Sequence, residues 1–93
     1  MQPLIPIERF SIFATGLDHP ECCAFDREGN LWAGGEAGQV YRIDLSGKVD
    51  TVCSLGTFNG GVAFSPDDEL FVSCSWQEQS VPGEHRAAKL SRN

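Results

Sequence analysis

The sequence predicts an all-β chain of short antiparallel strands. Three features carry that prediction: an internal repeat, three turns of one chemistry, and alternating apolar runs. Residues 19–35, HPECCAFDREGNLWAGG, align without a gap on residues 58–74, FNGGVAFSPDDELFVSC, at a constant offset of 39. Ala24 then falls on Ala63, Phe25 on Phe64, Leu31 on Leu70, Trp32 on Phe71 and Ala33 on Val72. A unit written twice at such a period marks a repeat architecture.

Each copy reads as a β-hairpin, with CCAF or GVAF leading through a short turn into LWA or LFVS. Asp26 lies over Ser65, and either residue can start a turn. The turn DREGN suits a type I turn followed by a left-handed residue, the place Gly29 takes. DLSGK repeats that chemistry with Gly47, and in SPDDE the glycine's place goes to Asp68. Aspartate tolerates the left-handed region better than most residues.

Between the hairpins, residues 38–44 (GQVYRID) and 48–54 (KVDTVCS) alternate as strands do. Val40 and Arg42 share one face and Tyr41 and Ile43 the other; Val49, Thr51 and Cys53 alternate with Asp50, Val52 and Ser54. Four antiparallel strands in about 35 to 40 residues describe a β-propeller blade. The expected organisation is a partial propeller over residues 1–76. Blade one occupies about 17–54 and an incomplete blade two about 58–76. Residues 9–15 (RFSIFAT) are expected as an outer strand of a preceding or ring-closing blade. The pattern stops near Trp76. Residues 1–76 carry eleven acids and four bases, whereas residues 77–93 carry two acids and three bases. The tail, 77–93, reads as a polar loop with a mobile or weakly helical end.

Ninety-three residues make at most one small domain. A net charge of −6 argues against nucleic acid, whose phosphates demand clustered Lys and Arg, and against an anionic membrane surface. The N-terminus lacks a signal-peptide pattern, since Pro3, Pro6 and Glu8 interrupt it and no basic residue precedes its apolar part. No run approaches the ~18 apolar residues of a membrane helix. A soluble, cytoplasmic protein is expected. Cys22, Cys23, Cys53 and Cys74 are then read as reduced thiols acting as small apolar residues, because adjacent Cys22 and Cys23 project to opposite faces of a strand.

PECCAFDREGNLWAGGEAGQVYRIDLSGKV and NGGVAFSPDDELFVS resemble the gluconolactonase-like family, which includes regucalcin and luciferin-regenerating enzyme. The resemblance covers roughly residues 16–76, and strictosidine-synthase-like and other propeller families share its turn-and-strand pattern. It implies about two blades of a six-bladed propeller whose central channel holds a divalent cation, commonly calcium, for hydrolysis of a lactone. The family's metal-binding Glu, just ahead of the first inner strand, matches Glu21. Its Asn within an N-G-hydrophobic-x-F/W-S-x-D pattern matches Asn59, which would bind metal or substrate. The family's downstream Asp, a ligand and proton-transfer group, has no matching segment. Propeller inner strands begin at the channel mouth, so Glu21 and Asn59 are expected to face a shared axial space. Calcium takes six to eight oxygens, so water or other chains must supply the rest of its shell.

Plainer readings stand beside these. Glu21 also fits a solvated turn carboxylate and Asn59 ordinary turn chemistry before Gly60. His19, Cys22 and Cys23 lack the four-ligand spacing of a zinc site. GGEAG lacks the Lys-Ser/Thr of a phosphate loop. Trp32 and Trp76 read as packing residues, and His85 has no identifiable partner. Two blades alone would expose apolar faces and open edges. Three states accommodate that: a fragment or truncated propeller, a homo-oligomer of two-blade units completing a ring, or collapse into a small sandwich or barrel. Two functions follow. One is a fragment of a metal-dependent lactone hydrolase, catalytically incomplete alone; the other is a non-catalytic scaffold or interaction module.

Overall fold

A computed structural model of the chain describes residues 4–75 and 85–90. Seven strands follow a 3-10 turn at Ile7–Arg9: β1 (Cys23–Phe25), β2 (Leu31–Gly34), β3 (Gln39–Ile43), β4 (Val49–Ser54), β5 (Asn59–Phe64), β6 (Leu70–Ser75) and β7 (His85–Leu90). They form two antiparallel meanders, a four-stranded sheet in the order β1-β2-β3-β4 and a three-stranded sheet β5-β6-β7. The fold is all-β, as two propeller-type blades require. Among the described residues no helix is long and apolar enough to cross a membrane.

The repeat is reproduced pair by pair. Cys23 faces Ala33, Ala24 faces Trp32 and Phe25 faces Leu31 across the first hairpin. Val62–Val72, Ala63–Phe71 and Phe64–Leu70 are the same pairs 39 residues on. The turns agree as closely. Asp26 Oδ1 accepts the backbone N–H groups of Glu28 and Asn30, both at 2.9 Å. Asp44 Oδ1 takes those of Ser46 and Lys48, and Ser65 Oγ those of Asp67 and Glu69. The fourth residue of each turn is left-handed: Gly29 at φ 86°, Gly47 at 89° and Asp68 at 63°. Each turn thereby satisfies its own amides, which fixes hairpin register before any long-range packing.

The sheets pack through their apolar faces. Trp32 and Val40 of the first meet Val62, Leu70 and Val72 of the second, with Ala24, Phe64 and Leu90 at the margin. The Trp32 and Phe64 rings meet edge to face at 5.9 Å. Arg27 joins the two equivalent turns, its amide donating to Asp68 Oδ1 at 2.9 Å and its guanidinium to the Pro66 carbonyl at 2.7 Å. Trp32 is a packing residue as expected; Trp76 lies outside the described residues.

Four expectations are corrected. The first concerns the tail, whose residues 85–90 form β7 rather than a loop or helical end. Leu31 pairs with Ile43, and its repeat Leu70 pairs with Leu90, so the third strand arrives 47 rather than 39 positions later. A fixed-period search looks eight residues too early. Second, residues 10–15 form no strand: Phe10, Ile12 and Phe13 are exposed, and among the described residues no strand pairs with them. A lone extended segment has nowhere to spend its backbone hydrogen bonds.

Third, only Cys74 of the four free cysteines is buried; Cys22, Cys23 and Cys53 are exposed. Cys22 precedes the sheet, Cys23 lies on the face of β1 turned away from the second sheet, and Cys53 lies on the outer strand β4. Fourth, Cys53 does not share a face with Thr51. Val40 pairs with Cys53 while Tyr41 pairs with Thr51, leaving Val52 as a bulge that resets the alternation. Cys53 therefore joins Val40, Leu55 and Leu70 around an apolar cleft of about 70 Å³ between the sheets.

Candidate functional site

The strands β1 and β5 are neighbours, as the inner strands of adjacent blades would be. Glu21 precedes β1 on an extended, exposed stretch. The next residue, Cys22, reaches β5 through an Sγ contact of 3.7 Å to the Val62 carbonyl. Asn59 opens β5 and is 2% exposed.

The Asn59 side chain is turned by a second bulge. Asn59 pairs with Cys74 and Gly61 with Ser73, so Gly60 is the extra residue. Uninterrupted alternation would put Asn59 on the exposed face of Ala63. The bulge instead puts it on the buried face of Cys74 and Val72, toward the first sheet. There Nδ2 donates to the Gln39 carbonyl at 2.9 Å, and the backbone amide donates to the Gly35 carbonyl at 3.2 Å. Gly34 makes room, because a Cβ there would stand 2.7 Å from the Asn59 Cβ. The glycine-rich bend of residues 34–38 is thus the seat on which the second blade's first residue rests.

Oδ1 of the same amide has no partner among the described residues, although it is buried. A buried, unpaired carbonyl oxygen is costly, and it is also the donor type that a hard cation takes. With the exposed Glu21 carboxylate, the donors in hand fit part of a calcium shell in chemical kind.

A second group of polar side chains forms ahead of β1. Ligand atoms of Asp18, His19 and Glu36 lie within 4.8 Å of one another. His19 Nδ1 is 3.0 Å from both Asp18 Oδ1 and Glu36 Oε2. Gln39 Nε2 donates to Asp18 Oδ2 at 3.1 Å, and the Asp18 amide donates to the Tyr41 hydroxyl at 3.1 Å. The hydrogen bond to Asp18 raises the His19 pKa, helped by the Glu36 charge. Its counterpart, with Gln39 and the Ala37 amide, holds Asp18 below the usual carboxylate range. His19 thus joins two carboxylates rather than Cys22 and Cys23. The sequence spacing could not show this, because Glu36 arrives through the β2–β3 bend. The cluster is largely exposed and anchors the chain ahead of β1 to that bend.

Asp26 serves the fold. Burial pushes its pKa up, but Trp32 Nε1 at 2.8 Å and the Asn30 and Glu28 amides outweigh this and lower it.

A family model for the N-terminal region of strictosidine synthase-like proteins matches residues 11–43. No curated protein and no solved structure gives a significant match to the chain. The matched region holds Glu21, the Asp18–His19–Glu36 cluster and β1 through β3, but not Asn59. Over that stretch the chain is similar to propeller-type proteins of the strictosidine synthase and gluconolactonase-like kind, without a particular member being singled out.

Proposed function

We propose that this chain carries the first two blades of a metal-dependent, lactone-hydrolysing propeller and is not catalytically complete by itself. The observation that carries the reading is the orphaned Asn59 Oδ1 at the head of β5, beside the strand that Glu21 precedes. Glu21 would supply the charged oxygen and Asn59 the neutral one. The Gln39 carbonyl fixes the Asn59 amide so that its NH₂ is engaged and its oxygen is left over. When bound, calcium would polarise a lactone carbonyl and acidify a water molecule. The family's downstream proton-transfer Asp has no matching segment in the sequence, so turnover by this chain alone is not expected. Exposed free thiols at Cys22, Cys23 and Cys53 suit a reducing, cytoplasmic setting.

A non-catalytic blade module is the second reading, favoured by the Asn59 amide already working as a stitch between the sheets. Calorimetric titration with calcium separates the two. Binding in roughly the millimolar range or tighter, lost in Glu21→Gln, supports the cation site. A flat titration of the folded chain at millimolar calcium overturns it and leaves the module. Acid release from a simple sugar lactone is expected to stay at the uncatalysed rate for the isolated chain.

A further inference from the structure

We infer that Asp18, His19 and Glu36 form a binding site for a zinc ion, using donors other than the Glu21 and Asn59 oxygens. The donor set selects the metal. One imidazole nitrogen with two carboxylate oxygens suits zinc, whereas a calcium shell is built from oxygen alone. Asp18 and His19 are adjacent in the chain, and Glu36 is brought to them by the bend between β2 and β3.

The distances fit the ion. Donors around a tetrahedral zinc, at bonds of about 2.0–2.1 Å, stand about 3.3–3.4 Å from one another. His19 Nδ1 is 3.0 Å from both Asp18 Oδ1 and Glu36 Oε2, and the three ligand atoms all lie within 4.8 Å of one another. Small outward shifts of the side chains seat zinc between them. The ion takes the Nδ1 lone pair, so binding releases any proton held there.

The ligands are also held ready from behind. Asp18 Oδ2 accepts Gln39 Nε2 at 3.1 Å and the Ala37 amide at 3.3 Å, which leaves Oδ1 to face His19. The Asp18 backbone is fixed twice, its amide donating to the Tyr41 hydroxyl at 3.1 Å and its carbonyl accepting the Glu36 amide at 3.0 Å. Tyr41 is 4% exposed on β3, so one anchor is a buried strand residue, and the other delivers the third ligand to the first two. Hydrogen bonds of this kind orient metal ligands and tune their affinity. Three protein donors leave the fourth position to water or an incoming ligand, and the site is open to it, with the His19 side chain 80% and that of Glu36 58% exposed. A bound ion would tie the chain ahead of β1 to the bend whose Gly35 carbonyl accepts the Asn59 amide. Zinc held only by the folded chain raises its melting temperature. The inference uses neither Glu21 nor Asn59, so the calcium titration can fail without touching it.

Calorimetric titration of the untagged, reduced full chain with zinc alone tests this. Cys22 and Cys23 are exposed thiols close by in sequence and are the rival ligands, so the titration is run on the wild type and on a Cys22→Ser, Cys23→Ser double variant. The double variant should still bind one zinc ion and melt at a higher temperature with it, and excess calcium should leave the zinc in place. In that background His19→Asn should abolish binding while keeping a residue that tolerates the φ of 44° at this position. Gln39→Ala should weaken binding by about 10–100-fold, because Asp18 loses the group that orients it. Far-UV circular dichroism checks folding, and if His19→Asn unfolds, Glu36→Gln at an exposed position takes its place. A flat zinc titration of the folded double variant overturns the inference. So does zinc binding that survives His19→Asn, or zinc that calcium displaces.

Discussion

His19 is a non-glycine residue held at φ 44°, with its imidazole between the carboxylates of Asp18 and Glu36 at 3.0 Å each. The left-handed backbone is unfavourable for a side chain of this size, and the two charge-assisted contacts oppose that cost. Because its folded pKa is raised, any stability it contributes is fully present below the unfolded value of about 6.5 and fades as pH rises through the folded value. An NMR titration of the His19 ring should therefore give a midpoint above that of a model peptide. Asp18→Asn should lower the midpoint more than Glu36→Gln, because the Asp18 hydrogen bond is the larger cause. Equal midpoints in all three proteins would show that solvent screens the cluster. Asn59 is the residue-scale counterexample. Its motif was legible, but its direction depends on the bulge at Gly60, a feature of strand pairing that a one-letter string does not carry.

The three turns show how an element is specified locally. An Asp or Ser at the first position caps two backbone amides, and a residue that tolerates positive φ occupies the fourth. All of that is short-range, so the sequence announces it. The same local rule does not report what approaches the turn. At Gly29 an added Cβ would meet Leu45 Cδ2 at 3.7 Å, an ordinary contact, whereas at Gly47 it would run into the Phe13 carbonyl. Both Gly→Ala changes should cost about 1–2 kcal/mol for the left-handed backbone. Gly47→Ala should cost more, or release residues 10–15 from the turn. Urea unfolding of the two variants checks the order, and equal losses would mean the Phe13 contact is dispensable. The strand β7 marks the other limit of local reading. Between equivalent strand pairs, Ser73–Ala87 against Gly34–Val40, the chain is eight residues longer than in the first blade, so the repeat was present but out of phase.

For the molecule as a whole, the layer shared by the two sheets joins them, while Ala33, Tyr41 and Ile43 are buried on the other face of the first sheet. Leu70 is fully buried at the centre of the shared layer, in contact range of both sheets' apolar residues. Leu70→Ala should cost about 2–5 kcal/mol, from lost transfer energy plus the cavity it leaves. Small domains have a total stability of only about 5–15 kcal/mol, so this variant should be largely unfolded near body temperature. Phe71→Ala, at the adjacent position on the uncovered face, should change monomer stability little. Thermal unfolding of both at low concentration is the check. A large loss for Phe71→Ala would mean that this face is already covered. The contrast follows from alternation, since neighbours along β6 point to opposite sides of the sheet and only one side has a layer against it.

What the sequence by itself determined is the hairpin unit, its turns, its register and its repetition, because turn amides and alternating side chains are satisfied within a dozen residues. Glu21 and Asn59 were legible only as matches to a motif. Tertiary structure decided where they lie: the bulge at Gly60 turns Asn59 onto the buried face of β5, while Glu21, ahead of β1, is left in solvent. It also decided that His19 meets Glu36 and that residues 10–15 stay unpaired. These outcomes depend on which distant backbone lies alongside, and no local pattern of residue types encodes that.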